Sequence, residues 1–164
     1  MVAAREALRR RAWDAAASVV DPEIPALTIA DLGVLRDVSV TDDGVEVAIT
    51  PTYTGCPAMT MIALDIEMAL ERAGISGARV KTVLAPAWTT DWLSDAARAK
   101  LQAAGIVPPP HAASRRALFG EEHATCPRCG SEDAERLAEF GSTACKSLYR
   151  CCACREPFEV FKCH

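Results

Sequence analysis

Seven of the eight cysteines in this 164-residue chain fall within its last 39 residues. Four of them form two Cys-x-x-Cys pairs, Cys126-Pro127-Arg128-Cys129 and Cys151-Cys152-Ala153-Cys154. Each pair lets a tight turn aim two sulfurs at one point, and two such turns supply the four ligands of a tetrahedral zinc site. The 21 residues between the pairs slightly exceed the usual spacing of about 15–20. They contain Glu135–Phe140 and Leu148–Arg150, two short strands by pattern, and Phe158–Lys162 reads as a closing strand. About 40 residues hold too little core to fold alone, and a structural metal supplies what is missing. Residues 121–164 are therefore expected to form a zinc-ribbon-like tail, with Cys126, Cys129, Cys151 and Cys154 as the metal ligands.

The remaining tail cysteines leave alternatives open. Cys145 and Cys163, beside His164, could make a second thiol pair, which would give the tail an iron–sulfur cluster or a redox disulfide. Cys152 adjoins Cys151 and should point elsewhere, as a packed or surface residue. His111 and His123 are read as solvated. A secreted disulfide scaffold is the weaker reading, because Ala12-Trp13-Asp14 follows Arg9-Arg10-Arg11 where a signal peptide needs its apolar core. A cytoplasmic location is expected. The net charge is −4 overall and −2 from Glu121 onward, which opposes binding to nucleic acid. No apolar run approaches the roughly 20 residues that span a bilayer.

Ahead of the tail, the pattern predicts a helix over about Ala4–Val20, broken by Asp21-Pro22-Glu23-Ile24-Pro25. Asp31-Leu32-Gly33 makes a second break. Val34–Val40 and Val45–Thr50 alternate as strands around Thr41-Asp42-Asp43-Gly44, whose Asp-Gly step tolerates the positive φ of a hairpin turn. A helix follows over Pro57–Ala73, with Ile62, Ile66, Ala69, Leu70 and Ala73 on its core face and Gly74 ending it. Met59, Met61 and Met68 are read as packing residues rather than ligands. A third strand over Ala78–Leu84 and a helix over Leu93–Ala104 complete the set. The expected fold class is α+β: a small three-stranded sheet with covering helices over 1–107, a proline-rich linker over 108–120, then the ribbon.

One cysteine stands apart. In Thr54-Gly55-Cys56-Pro57, Pro57 suits the first helical position, which makes Cys56 the expected N-cap. The positive end of the helix dipole should then favour its thiolate. The alternative is a small buried hydrophobe. Nucleophilic catalysis needs a nearby base, yet all three histidines lie in the tail half, so direct catalysis is not expected.

Asp21-Pro22-Glu23-Ile24-Pro25, Asp31-Leu32-Gly33 and Thr54-Gly55-Cys56-Pro57 resemble the iron–sulfur assembly domain of SufT-like proteins. Trp88-Thr89-Thr90-Asp91-Trp92, Phe140–Lys146, Glu156-Pro157-Phe158 and Phe161-Lys162-Cys163 narrow the resemblance to the PaaD family, the D-type subunits encoded with the bacterial phenylacetyl-CoA ring 1,2-epoxidase. That epoxidase system combines a di-iron oxygenase, a structural partner, a small subunit and a reductase carrying flavin and a [2Fe–2S] cluster. The resemblance implies a non-catalytic accessory protein that helps mature a metal centre of the system, with the reductase as the foremost partner. It places the assembly cysteine at Cys56, with Asp21, Glu23 and Thr54 as lesser candidates near it. A transient iron–sulfur cluster or iron would be the cargo, beside a structural zinc in the tail. The alternative is a structural or regulatory subunit of the oxygenase in which Cys56 is merely packed. A homodimer would cover the sheet's open edges.

Overall fold

In the computed structural model, residues 2–109 and 124–162 are described; His111, His123, Cys163, His164 and most of the expected linker lie outside them. The class is α+β, in two compact units, Met1–Trp88 and Thr89–His164.

The first unit runs α1 (Val2–Ala17), β1 (Leu35–Thr41), β2 (Gly44–Ile49), α2 (Ala58–Arg72) and β3 (Arg79–Thr82). β1 and β2 pair antiparallel, as the hairpin signal predicts, with Val38 opposite Val47, Val40 opposite Val45 and a bulge between Leu35 and Asp37. The hairpin closes at Gly44, whose φ of 128° is open to glycine and costly for other residues. β3 lies parallel to β2, from Glu46 opposite Arg79 to Ile49 opposite Thr82, so α2 is the crossover of a β-α-β unit. The period-2 set Val45, Val47 and Ile49 is buried, as is the helical set Ala58, Ile62, Ile66 and Leu70. Each fully buried Ile or Leu contributes about 1.5–3 kcal/mol of apolar transfer energy, which sets the helix over the sheet. Ala73 and Gly74 end α2 by donating to the Ala69 and Glu71 carbonyls. Between α1 and β1, Asp21 closes a turn by accepting the Glu23 and Ile24 N–H groups at 2.9 and 2.8 Å. Trp88 locks the far end of the unit by donating from Nε1 to the Leu32 carbonyl at 2.8 Å.

The second unit holds a 3-10 turn (Thr90–Trp92), α3 (Asp95–Ala103), β4 (Ile106–Val107), β5 (Ala134–Ala138), β6 (Lys146–Cys151) and β7 (Pro157–Phe161). Ser94 caps α3 by accepting the Ala97 N–H at 3.0 Å. The sheet order is β4-β7-β6-β5, with β4 parallel to β7 and the other pairs antiparallel. The helix and strand from Asp95 to Val107 thus lie in the same compact unit as the ribbon, and the chain divides after Trp88 rather than in the proline-rich linker expected from 108. The cause is the backbone pairing of Ile106 and Val107 with Glu159 and Val160. A two-residue strand carries too short an alternation to be seen in sequence.

Candidate metal centre and the Cys56 turn

Two turns of the same construction carry the paired cysteines. In the first, the Cys126 N–H donates to the Ser131 carbonyl and the Gly130 N–H to the Cys126 carbonyl, at 2.8 and 3.0 Å. In the second, the Cys151 N–H donates to the Glu156 carbonyl and the Arg155 N–H to the Cys151 carbonyl, both at 3.0 Å. The correspondence extends to a left-handed φ of 74° at Gly130 and 67° at Arg155. Arginine at that position is the less comfortable choice, since a side chain there crowds its own carbonyl.

The ribbon's register brings the turns together. Ala134 lies opposite Cys151, and the Cys152 N–H extends the ladder to the Asp133 carbonyl at 2.8 Å. The sulfurs of Cys126, Cys129, Cys151 and Cys154 all lie within 4.8 Å of one another. Cys126 and Cys154 sulfurs are 3.7 Å apart, and those of Cys129 and Cys151 are 3.5 Å apart. Four sulfurs about 2.3 Å from a central ion stand about 3.8 Å apart in a tetrahedron, so the group fits a tetrahedral thiolate metal site. Cys126 and Cys151 are buried and Cys129 is exposed. The Arg128–Glu156 ion pair bridges the two turns at 2.6 Å.

Electrostatics within the group show why it calls for a cation. Cys151 is lowered to about 6, first by the Cys154 N–H pointing at its sulfur, against burial and with help from the Cys129 thiol. Cys154 is held down by the Glu156 N–H, but burial and the thiols of Cys129, Cys151 and Cys126 drive it up to about 12. One thiolate is stabilised at the others' expense. A divalent ion removes that conflict by neutralising all four.

Cys145 and Cys152 stand outside this group. Cys145 is buried, its sulfur 3.1 Å from Thr143 Oγ1. Cys152 is half-buried, and its thiol is raised by burial and by Asp133 and Glu135. Sequence reading missed the anchor of the neighbouring loop. Lys146, nearly fully buried, meets Glu159 at 3.1 Å, and the Glu159 carboxylate also accepts the Ser142 N–H. A Cβ on Gly141 would stand 2.5 Å from Glu159 Oε1, so glycine is needed there. The Gly141–Lys146 segment is therefore a clasp around one ion pair. Its only sequence signal is a lysine and a glutamate that fall within or beside two expected strands.

Cys56 occupies the β2–α2 connection, beyond the carboxyl end of β2, where open parallel units place their functional loops. Gly55 supplies a φ of 85° to turn the chain, and the Cys56 N–H donates to the Tyr53 carbonyl at 3.3 Å. Pro57, not Cys56, takes the N-cap position, with φ −69° and ψ −21°. The expected thiolate preference is overturned. Burial raises the Cys56 thiol first, and the charges of Glu23 and Asp21 raise it further, against the Ala58 N–H and a hydrogen bond from Tyr53. Asp21 and Glu23 are thus brought near the sulfur in space, from 33 or more residues away in sequence. The Asp21 carboxylate is itself buried and committed to its turn, whereas Thr54 is exposed. Tyr53, absent from the sequence-derived candidates, joins this group.

The chain's two parts each match a known family. Residues 9–85 match the iron–sulfur cluster assembly protein family, and residues 110–162 match the PaaD zinc beta ribbon domain. The D-type subunit of the Escherichia coli 1,2-phenylacetyl-CoA epoxidase is 46% identical over 92% of this chain and 90% of its own length. An Fe-S protein maturation auxiliary factor of Porphyromonas gingivalis is 37% identical over 51% of this chain and 81% of its own. A crystal structure of a domain of unknown function from Bacillus anthracis covers 62% of this chain and 97% of its own, with 25% identity and a TM-score of 0.57. Among the described residues, no helix is long and apolar enough to cross a membrane.

Proposed function

The chain belongs to the PaaD family of phenylacetyl-CoA epoxidase proteins, with an iron–sulfur assembly domain and a PaaD-type ribbon, and from that premise we propose that it is a maturation factor for the epoxidase system. It assists delivery of an iron–sulfur cluster or iron to the [2Fe–2S] reductase or the oxygenase, and does not itself catalyse epoxidation. Cys56 is the transfer ligand, and Cys126, Cys129, Cys151 and Cys154 hold a structural zinc.

The observation that carries this reading is the division of sulfur chemistry within one chain. The four tail thiols form a closed set, suited to a resident ion that stabilises the fold. Cys56 instead stands half-buried on an exposed turn, in the part of the chain that matches cluster assembly proteins. A thiol kept protonated near neutral pH does not hold metal tightly, because loading must displace its proton, and weak holding suits transfer. Asp21 and Glu23 raise that proton's affinity from one side while Tyr53 offsets it from the other.

The test is the [2Fe–2S] content of the reductase purified from cells carrying Cys56→Ser. The expected result is reductase largely lacking its cluster, with the ribbon metal of the variant retained. Full cluster occupancy would overturn the assignment of Cys56. The name of the Escherichia coli relative favours a second reading, a structural component of the oxygenase, which stable co-purification with it and unchanged activity in Cys56→Ser would support.

A further inference from the structure

We infer that the solvent face of α2 is where this protein receives its client, and that the client offers an apolar segment flanked by lysine or arginine. The inference rests on the maturation reading above. Met61, Leu64 and Met68 are 53%, 50% and 50% exposed. Their spacing of i, i+3 and i+7 makes them neighbours on one face of α2. Sequence patterning assigns Met61 and Met68 to packing, but the core is filled from the other side by Ile62, Ile66 and Leu70. Single exposed apolar residues are ordinary; a contiguous stripe of three on one helix marks an interaction surface. Beside the stripe lies an open groove between α2 and β3, lined by Met59, Thr60, Ala63, Leu64, Glu67 and Thr82. Leu64 belongs to both, and Met59 begins the groove three residues beyond Cys56. The stripe itself starts within about one and a half helical turns of Cys56 along the chain, so a segment seated there lies beside the transfer thiol.

Charge and area choose the occupant. Asp65, Glu67 and Glu71 accompany the stripe on α2, against one cation, Arg72. A second copy docked through the same face would set these carboxylates against their own counterparts, because a two-fold interface is self-facing. A cationic rim on a different protein answers them. Three half-exposed side chains also fall far short of the roughly 800 Å² that each side of a stable interface buries. That deficit fits a client that must leave after loading. Methionine is suited to such contacts because its unbranched, polarisable side chain adapts to differing surfaces.

The test measures binding of the purified apo-reductase of the epoxidase system to the full-length, metal-loaded chain. Met61→Asp/Met68→Asp and Glu67→Lys/Glu71→Lys alter positions on the solvent side of α2, and circular dichroism with ribbon metal content confirms that each variant is folded. Both variants are expected to weaken binding tenfold or more, and wild-type binding should weaken as salt is raised. Cys56→Ser should bind as the wild type does while delivering no cluster. Wild-type affinity in the Met61→Asp/Met68→Asp variant, or no measurable binding by the wild type, overturns the docking surface. Micromolar self-association of the wild type that this variant abolishes also overturns it, by making the face a contact between copies. If Cys56→Ser delivers cluster normally while the stripe variant loses binding, the docking surface stands and the transfer role fails.

Discussion

At the scale of single residues, Cys56 shows how environment overrides a local rule. The helix-start pattern is legible in Gly55-Cys56-Pro57, and the turn forms where expected. What local sequence cannot carry is the approach of Glu23 and Asp21 from a distant loop, and these, after burial, reverse the expected direction of the thiol's shift. The sign has a direct consequence. A thiol raised above its ordinary value holds less thiolate at neutral pH than a free cysteine, and only the thiolate is alkylated. Iodoacetamide should therefore label Cys56 more slowly than a small-molecule thiol at about pH 7.5, with the rate still climbing above about pH 9. Glu23→Gln removes one raising charge and should speed labelling severalfold at neutral pH, read by mass spectrometry of the peptide. Labelling of Cys56 as fast as a free thiol under the same conditions would contradict the placement of these groups. The tail thiols are easier to read because their partners are set by spacing within each turn, and the register of β5 against β6 does the rest.

Among the secondary-structure elements, the ribbon's loop depends on a pair that no motif announces. Lys146 is nearly fully buried at the start of β6 and Glu159 sits in the middle of β7, 3.1 Å away. Burying an ammonium is costly without a partner, so Glu159→Gln should destabilise the second unit by about 2–3 kcal/mol. Although burial alone would raise it, the Ser142 N–H and Lys146 lower the Glu159 carboxyl below its ordinary value. A depressed carboxyl stabilises the fold above its unfolded-state value and ceases to do so as pH falls through the folded one. The gap between wild type and Glu159→Gln should accordingly be full near neutral pH and shrink below about pH 4. Denaturant titrations of both proteins across that range check it, and a gap that persists unchanged well into acid would exclude the pair as its source. The strands holding this pair are readable as β6 and β7 from their aromatic and β-branched residues. Their pairing with β4 is not, because Ile106-Val107 is brief and followed by prolines.

For the whole molecule, the two units differ in what holds them together. The first buries a set of aliphatic side chains, including Val38, Val47, Ile49, Ile62, Ile66 and Leu70, and needs no ion. The ribbon's cluster comprises Ala124, Cys126, Tyr149, Cys151 and Phe158, two of whose five members are proposed metal ligands. Tyr149 and Phe158 stack at a centroid distance of 5.9 Å and contribute about 0.5–1.5 kcal/mol beyond their burial, far less than a structural ion supplies. Stripping the metal should therefore unfold the ribbon and spare the assembly fold. Hydrogen exchange in the full chain reads both at once. With a strong chelator, peptides from 134–161 should lose their protection while peptides from 35–72 keep theirs. Returning zinc should restore the ribbon's protection within the same sample. Unchanged exchange across 134–161 after verified metal removal would mean that Tyr149, Phe158 and the β4–β7 pairing suffice, and the four thiols would then need a role other than holding the fold.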